Sequence, residues 1–158
     1  MSRVIPSLRR LHQDRRGVAA VEFAIIATIM VTLLLGTYDF GNAAQEQIAL
    51  QEAVRAGGAY AQSRPSNVAG IQSAVANALP AGWALTGGVA AVACYCLNPA
   101  TNAKTALGAC TDANFGTCTG ANIGKLVTIT ATMPYTHVGS LFATALPNNT
   151  AQYAARIQ

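Results

Sequence analysis

A single carboxylate, that of Glu22, lies within an apolar stretch that otherwise carries no charge. The stretch runs from residue 18 to residue 38 and reads VAAVEFAIIATIMVTLLLGTY. As a helix it would be roughly 30 Å long, which matches the hydrocarbon core of a bilayer. A carboxylate in the middle of such a helix costs about 2.5–3.5 kcal/mol on insertion scales. Glu22 is therefore expected to have a partner or a function.

The residues before Glu22 supply a candidate partner. Two arginines and Gly17 precede Val18, and cleavage after Gly17 would place Glu22 and then Phe23 near a new N-terminus. The new α-amino group, whose pKa is ordinarily about 8, would be mostly protonated. In a bundle of such helices, the carboxylate of one subunit could pair with the ammonium group of its neighbour and set their register. The alternative is an isolated Glu22 that reaches the headgroups or is protonated within the bilayer.

The charges are distributed unevenly along the chain. Residues 1–16 hold five arginines and one aspartate, a net charge of +4, whereas the acidic and basic residues after residue 17 balance. Basic residues that flank an apolar segment mark its cytoplasmic side. A nucleic-acid-binding domain would need a basic patch on its folded surface, and the balanced charge gives no sign of one. We therefore expect a single-pass anchor with a cytoplasmic N-terminus, the lipid bilayer as a partner, and no nucleic-acid partner.

Helical composition continues beyond the apolar stretch. Residues 39–62 are rich in Ala, Gln and Glu, and Ala44, Ile48 and Val54 share one weakly apolar face. Pro65 then predicts the end of the helix. These patterns predict a leader (1–17), a transmembrane helix (18–38), an amphipathic spine helix (39–62) and an extracytoplasmic head (63–158).

The head is predicted to be a small α+β domain with an antiparallel sheet. A short helix over Val68, Ile71, Val75 and Leu79 is expected to start at Ser66 or Asn67. The expected strands are a hairpin of Trp83–Thr86 and Val89–Leu97, then Lys125–Tyr135 and Ala151–Ile157, whereas residues 98–122 are turn-rich and Val138–Leu146 is a helix or an irregular crossing. Trp83 is expected to be buried against the spine helix.

Four cysteines lie in the predicted head: Cys94, Cys96, Cys110 and Cys118. An even number outside the membrane favours two disulfides, each contributing about 3 kcal/mol in the loop-entropy description. Three connectivities are open, and the nested pairing of Cys94 with Cys118 and of Cys96 with Cys110 is preferred. A zinc site is the alternative, but the spacings differ from the usual pairs and no histidine is near.

The remaining polar residues do not suggest catalysis. His12 lies in the predicted leader, and His137 follows the end of a strand. The acidic residues form no compact set, and nothing is arranged as a nucleophile with its base, a metal triad or a phosphate loop. We therefore expect a protein that is not an enzyme, with no catalytic residues, cofactor or metal.

The order of residues from Arg15 to Phe23 resembles the processing site of prepilins. An arginine and Gly17, four small apolar residues, Glu22 and Phe23, followed by a long helix, are similar to the TadE-like minor pilins (pseudopilins) of the tight-adherence, or Flp-type, pilus. The ending Tyr-Ala-Ala-Arg after a Thr-rich strand also resembles that family. The resemblance implies cleavage between Gly17 and Val18 by a prepilin peptidase, with Glu22 and Phe23 acting in assembly.

The same resemblance implies a role in adhesion and secretion. Its expected partners are other pilin and pseudopilin subunits and an assembly platform in the bacterial inner membrane, with the head periplasmic or extracellular and the subunit available for incorporation in a pilus. Phe23 stands where the major pilins of this pathway usually have tyrosine, and the chain is much longer than they are, which favours a minor pilin. The alternative hypothesis is an uncleaved, single-pass anchored binding domain that does not need Glu22.

Overall fold

The computed structural model describes residues 15–135 and 148–157, with side chains from residue 17 onward. Along the chain lie helix α1 (Arg15–Ser63), helix α2 (Val68–Ala78), strands β1 (Ala91–Leu97) and β2 (Lys104–Leu107), helix α3 (Asp112–Gly116), a 3₁₀ turn (Gly120–Asn122), and strands β3 (Gly124–Met133) and β4 (Asn149–Ile157). The fold is α+β, as the sequence predicts. The expectations for the leader before residue 15, for His137 and for Val138–Leu146 lie outside the described residues.

Helix α1 is continuous over 49 residues. It contains no proline, and it ends where Arg64 donates its backbone N–H to the carbonyl of Tyr60 at 3.0 Å, directly before Pro65. The pair Gly57 and Gly58 lies inside the helix. A Cβ at Gly57 would meet Val75 of α2, and one at Gly58 would meet the ring of Tyr153. These glycines therefore allow close packing.

The spine part of α1 buries a different face from the one expected. Val54 is buried, but Ala44 and Ile48 are exposed. The buried residues of this part of the helix are Ala43, Leu50, Ala53, Val54 and Ala61. They recur at spacings of three, four and seven residues, as one helical face requires. The assignment based on Ala44 and Ile48 was wrong because small residues lie on every side of this helix, so the apolar pattern alone does not identify the face that contacts the head.

Helix α2 agrees with its sequence pattern. The side-chain oxygen of Asn67 accepts the N–H of Gly70 at 2.9 Å, so Asn67 is the N-cap. Ile71 and Val75 are fully buried against the rest of the core. The helix is therefore held by its cap at one end and by these two side chains along its inner face.

The four strands form one antiparallel sheet in the order β2-β1-β3-β4. Along β3, Val127, Ile129 and Ala131 are buried in the core that the sheet shares with α1 and α2, as the alternation with threonine predicts. Met133 of β3 pairs with Asn149, and Lys125 pairs with Ile157. We call the Met133–Asn149 end of the sheet its proximal end and the Lys125–Ile157 end its distal end.

The predicted hairpin strand Trp83–Thr86 does not form. Leu85 is buried in the core, and Thr86 makes a single bridge to β3, donating its N–H to the carbonyl of Thr132 at 2.7 Å. Gly87 and Gly88 have φ angles of 78° and 81°, the left-handed values that glycine tolerates. The segment is a turn that places the side chain of Leu85 in the core. Regular pairing with β3 begins only at Ala91.

The turn-rich segment after β1 contains a strand that the sequence analysis missed. Strand β2 pairs antiparallel with β1, so that Thr105 lies opposite Cys96 and Leu107 lies opposite Cys94. The chain thus passes Cys96 first and reaches Cys94 at the end of β2. Helix α3 then turns it back towards Cys96.

This path explains the disulfide connectivity. Cys94 bonds to Cys110 and Cys96 bonds to Cys118, with Cα–Cα distances of 5.4 and 5.3 Å. The two disulfides are confirmed. The preferred nested pairing was wrong, because the segment after β1 forms strand β2 and so brings Cys110 to Cys94 before Cys118 reaches Cys96. All four cysteines are bonded in this way, so their sulfur atoms are not zinc ligands.

Candidate functional site

The proposed processing junction lies in the first turns of α1. Gly17, Val18, Glu22 and Phe23 are all exposed, and the exposed fraction of Phe23 is 72%. A Cβ at Gly17 would meet no atom within 4 Å. Glu22 precedes Asp39 by roughly 25 Å of helix, so the head does not cover it. The structure thus places these residues together on an uncovered helix, and their roles stay predictions.

The first half of α1 is suited to a bilayer. It is the one helix among the described residues that is long and apolar enough to cross a membrane, and its most apolar window is not buried against the chain. Its threonine hydroxyls are satisfied within the helix: Thr28 donates to the carbonyl of Ala24 at 2.8 Å, and Thr32 donates to that of Ile29 at 2.8 Å. Because lipid offers no hydrogen bonds, such internal bonding allows hydroxyls at this depth.

Among the described residues, Tyr135 of the head contacts α1 at Asp39, directly after the apolar stretch. Asp39 is fully buried, and the hydroxyl of Tyr135 donates to its backbone carbonyl at 2.6 Å. Burial raises the pKa of Tyr135, and the nearby carboxylates of Asp39 and Glu46 raise it further. Tyr135 is therefore held as a neutral hydrogen-bond donor at the end of the membrane segment.

Two turns further along α1, the head is attached again. Glu46 accepts a hydrogen bond from the side-chain amide of Asn149 at 2.9 Å, and the amide of Gln47 donates to the carbonyl of Thr150 at 3.0 Å. The start of β4 is thus fixed to the spine helix. Together with Tyr135, these contacts tie the proximal end of the sheet to the part of α1 that follows the apolar stretch.

Sequence reasoning missed this attachment. Asp39 and Glu46 were counted only among the acidic residues that form no compact set. A usable signal was present, because Asp39 and Glu46 are seven residues apart and therefore share a helical face. Two acidic residues on the face that the head covers call for hydrogen-bond donors such as Tyr135 and Asn149.

The described side chains do not assemble a metal site. Within residues 15–135 and 148–157, no group of three or more His, Cys, Asp or Glu side chains is close enough to hold a metal ion. The features of the chain that suggest a function are therefore the exposed membrane helix and the head attached at its end.

Comparison with known proteins identifies the helix. Residues 17–59 match the family model described as TadE-like protein, and the match begins at Gly17. Searches of curated proteins and of solved structures found no match. The matched range covers the apolar stretch and most of the spine, and it supports an association with the tight-adherence pilus system. Over residues 17–59 of its long N-terminal helix, this chain is similar to the TadE-like protein family.

Proposed function

We propose that the protein is a structural minor pilin, or pseudopilin, of a tight-adherence pilus system. The observation that carries the proposal is the TadE-like match, which starts at the residue before the proposed cleavage site. The exposed apolar helix and the disulfide-bonded head suit a subunit that is anchored in a membrane and assembled with its neighbours. The subunit acts by packing, in adhesion and secretion, and not as an enzyme.

In this proposal a prepilin peptidase cuts between Gly17 and Val18. The new ammonium group of Val18 lies about one helical turn from Glu22 and pairs with the Glu22 carboxylate of a neighbouring subunit. The small residues Ala20 and Ala24 lie on one side of the helix, where they allow close approach of another helix. Phe23, which is exposed beside Glu22, would contribute apolar contact to the same interface.

The proposal implies a location and a set of partners. The membrane segment lies in the bacterial inner membrane with its N-terminus in the cytoplasm, and the head lies on the other side. The partners are the peptidase, other pilin and pseudopilin subunits and the assembly platform. The uneven charge of the chain, with +4 in residues 1–16, supports this orientation.

The cleavage is tested by measuring the mass of the chain after co-expression with a prepilin peptidase. We expect a mature protein that starts at Val18, and we expect Gly17→Ala to remain full length. Since a Cβ at Gly17 meets nothing within 4 Å, the substitution changes recognition and leaves the fold intact. Gly41→Ala is the matched control, because this glycine is equally open within the same helix. A wild-type chain that still begins at Met1 would contradict the proposal.

The role of Glu22 is tested separately by Glu22→Gln. This change removes the charge but keeps the size, so insertion and cleavage should continue while cross-linking to other pilin subunits is lost. Glu52→Gln is the control, since Glu52 is an exposed carboxylate on the spine part of α1. If Glu22→Gln cross-links as wild type does, the anchored binding domain without subunit assembly becomes the better hypothesis.

A further inference from the structure

The head begins where the membrane segment ends, without a linker between them. Tyr38 is the last residue of the apolar stretch, and Asp39, the next residue, already accepts the hydrogen bond of Tyr135. Tyr135 follows the proximal end of β3 after Pro134. If α1 spans a bilayer, Tyr135 therefore lies at the membrane surface, and the proximal end of the sheet, attached at Glu46 and Gln47, lies roughly 10 Å further along α1.

Aromatic side chains are found at this level. Tyr38 and Phe40 are exposed by 57% and 67% on α1. Trp83, the only tryptophan of the chain, is half-buried and lines a cleft of about 310 Å³ together with Glu46 and Pro134. This cleft places Trp83, which also packs against the hydrophobic core, at the level of Glu46, roughly 12 Å of helix beyond Tyr38. The interfacial layer of a bilayer is about 5–8 Å thick on each side, so the indole ring reaches it if it points from this level towards the lipid.

Charge on this part of the helix does not prevent such a contact. Between residue 23 and residue 51, the charged residues are Asp39 and Glu46 alone. Asp39 is fully buried under the head, and Glu46 is half-buried and bonded to Asn149. Among the described residues, neither this stretch of α1 nor the lining of the cleft contains the basic residues of an electrostatic lipid contact. An aromatic contact with lipid, which does not depend on the charge of the lipid, fits the surface around Trp83 better.

We propose that Trp83 is an interfacial anchor of the head. Its indole lies in the headgroup region of the bilayer that α1 spans, on the side of the head, and it holds the proximal end of the sheet against the lipid surface. Tryptophan prefers this region because its ring is apolar and its N–H can remain hydrated. The inference rests on the membrane anchoring in the proposed function and adds a second membrane contact made by the head itself.

The single tryptophan provides the test. The full chain is reconstituted into phosphatidylcholine vesicles whose acyl chains carry bromine either near the headgroup or near the terminal methyl groups. Bromine quenches indole fluorescence at short range. We expect the shallow bromine to lower the emission of Trp83 by about twofold or more, and the deep bromine to have a much smaller effect, as an interfacial ring requires. High salt should leave the quenching unchanged.

A matched control moves the tryptophan to the distal end of the sheet. The variant Trp83→Phe/Ile123→Trp places it at a residue that is 61% exposed, roughly 30 Å along β3 from the proximal end. We expect neither brominated lipid to quench this variant. Equal quenching of both positions, or quenching of neither, would overturn the proposal. Flotation with the vesicles tests the membrane anchoring by α1 separately from the role of Trp83. Loss of flotation contradicts the membrane anchor, whereas loss of quenching with flotation retained contradicts only the role of Trp83.

Discussion

At the scale of single residues, Asp39 and Tyr135 determine how the head is attached. A buried aspartate beside a membrane segment is unfavourable unless polar groups surround it. The hydroxyl of Tyr135 meets the chain at this point, although the two residues are far apart in the sequence. That separation is why the sequence analysis could not pair them: an isolated tyrosine after a strand has no feature that identifies its partner.

The raised pKa of Tyr135 predicts a loss of stability at alkaline pH. Its pKa in the folded chain is above the ordinary tyrosine value of 10.0, so the folded state holds this proton more tightly than the unfolded state. The resulting stabilisation is complete below pH 10.0 and is lost as the pH rises through the raised pKa. Tyr135→Phe should therefore show a shallower decrease in the free energy of unfolding above this pH, measured in detergent micelles.

The same substitution should also lower stability at neutral pH. It removes the hydrogen bond to the carbonyl of Asp39, which we expect to cost about 1–2 kcal/mol. Tyr95→Phe is the control, since Tyr95 lies on β1 opposite Ala106 and Leu126, at the other end of the sheet. If the free energy of unfolding falls equally with rising alkaline pH in wild type and in Tyr135→Phe, groups other than Tyr135 cause the decrease.

At the scale of elements, the predictability of a strand follows from its length and alternation. Strand β3 has ten residues in which threonine alternates with Val127, Ile129 and Ala131, so its sequence identified it. Strand β2 has only four residues, KTAL, and most of them are exposed. It forms because β1 and the disulfides hold it, which no local pattern reveals. Missing β2 led directly to the wrong disulfide pairing.

The pairing can be checked with two proteases. Chymotrypsin cleaves after Tyr95, between Cys94 and Cys96, and after Phe115, between Cys110 and Cys118, and trypsin cleaves after Lys104, between Cys96 and Cys110. Digestion of the denatured, unreduced protein with both proteases therefore separates all four cysteines. Mass spectrometry should find the peptide of Cys94 joined to that of Cys110. Joining of the Cys94 and Cys118 peptides would instead support the nested arrangement.

The packing of α1 against β4 predicts a sharp difference between two glycines. Gly58→Ala would place a methyl group against the ring of Tyr153, so we expect unfolding to become easier by about 1–3 kcal/mol. Gly41→Ala meets nothing within 4 Å and should be neutral or stabilising by up to about 1 kcal/mol, because alanine is the better helix former. Denaturant unfolding in micelles measures both, and equal stability of the two variants would contradict the close contact.

At the scale of the whole molecule, the sequence predicted the α+β class and the order of helix and sheet. The apolar stretch and the alternation of β3 were sufficient for this, because both are long and periodic. The face that α1 presents to the head was not predictable, since Ala43 is buried while Ala44 is exposed and the two residues are chemically identical. Only the position of the sheet distinguishes them.

The proposed orientation of the molecule in the membrane predicts a labelling pattern. Lys104 and Lys125 are the only lysines of the chain, and both lie in the head. A membrane-impermeant amine reagent added to spheroplasts should modify the exposed Lys104, and Lys104→Arg should remove most of the signal. Labelling of Lys104 only after the membrane is permeabilised would place the head in the cytoplasm and contradict the proposed topology.

Because the head is attached to α1 directly after Tyr38, a tilt of the apolar segment would move the whole head. The part of α1 that carries the head extends for roughly 36 Å from residue 39 to residue 63, and the head is fastened to it from its first turn. If the membrane segment tilts by about 10°, the far end of the head moves sideways by roughly 6 Å. In the proposed topology, a small reorientation of the helix within the lipid thus produces a displacement as wide as a side chain at the far end of the head.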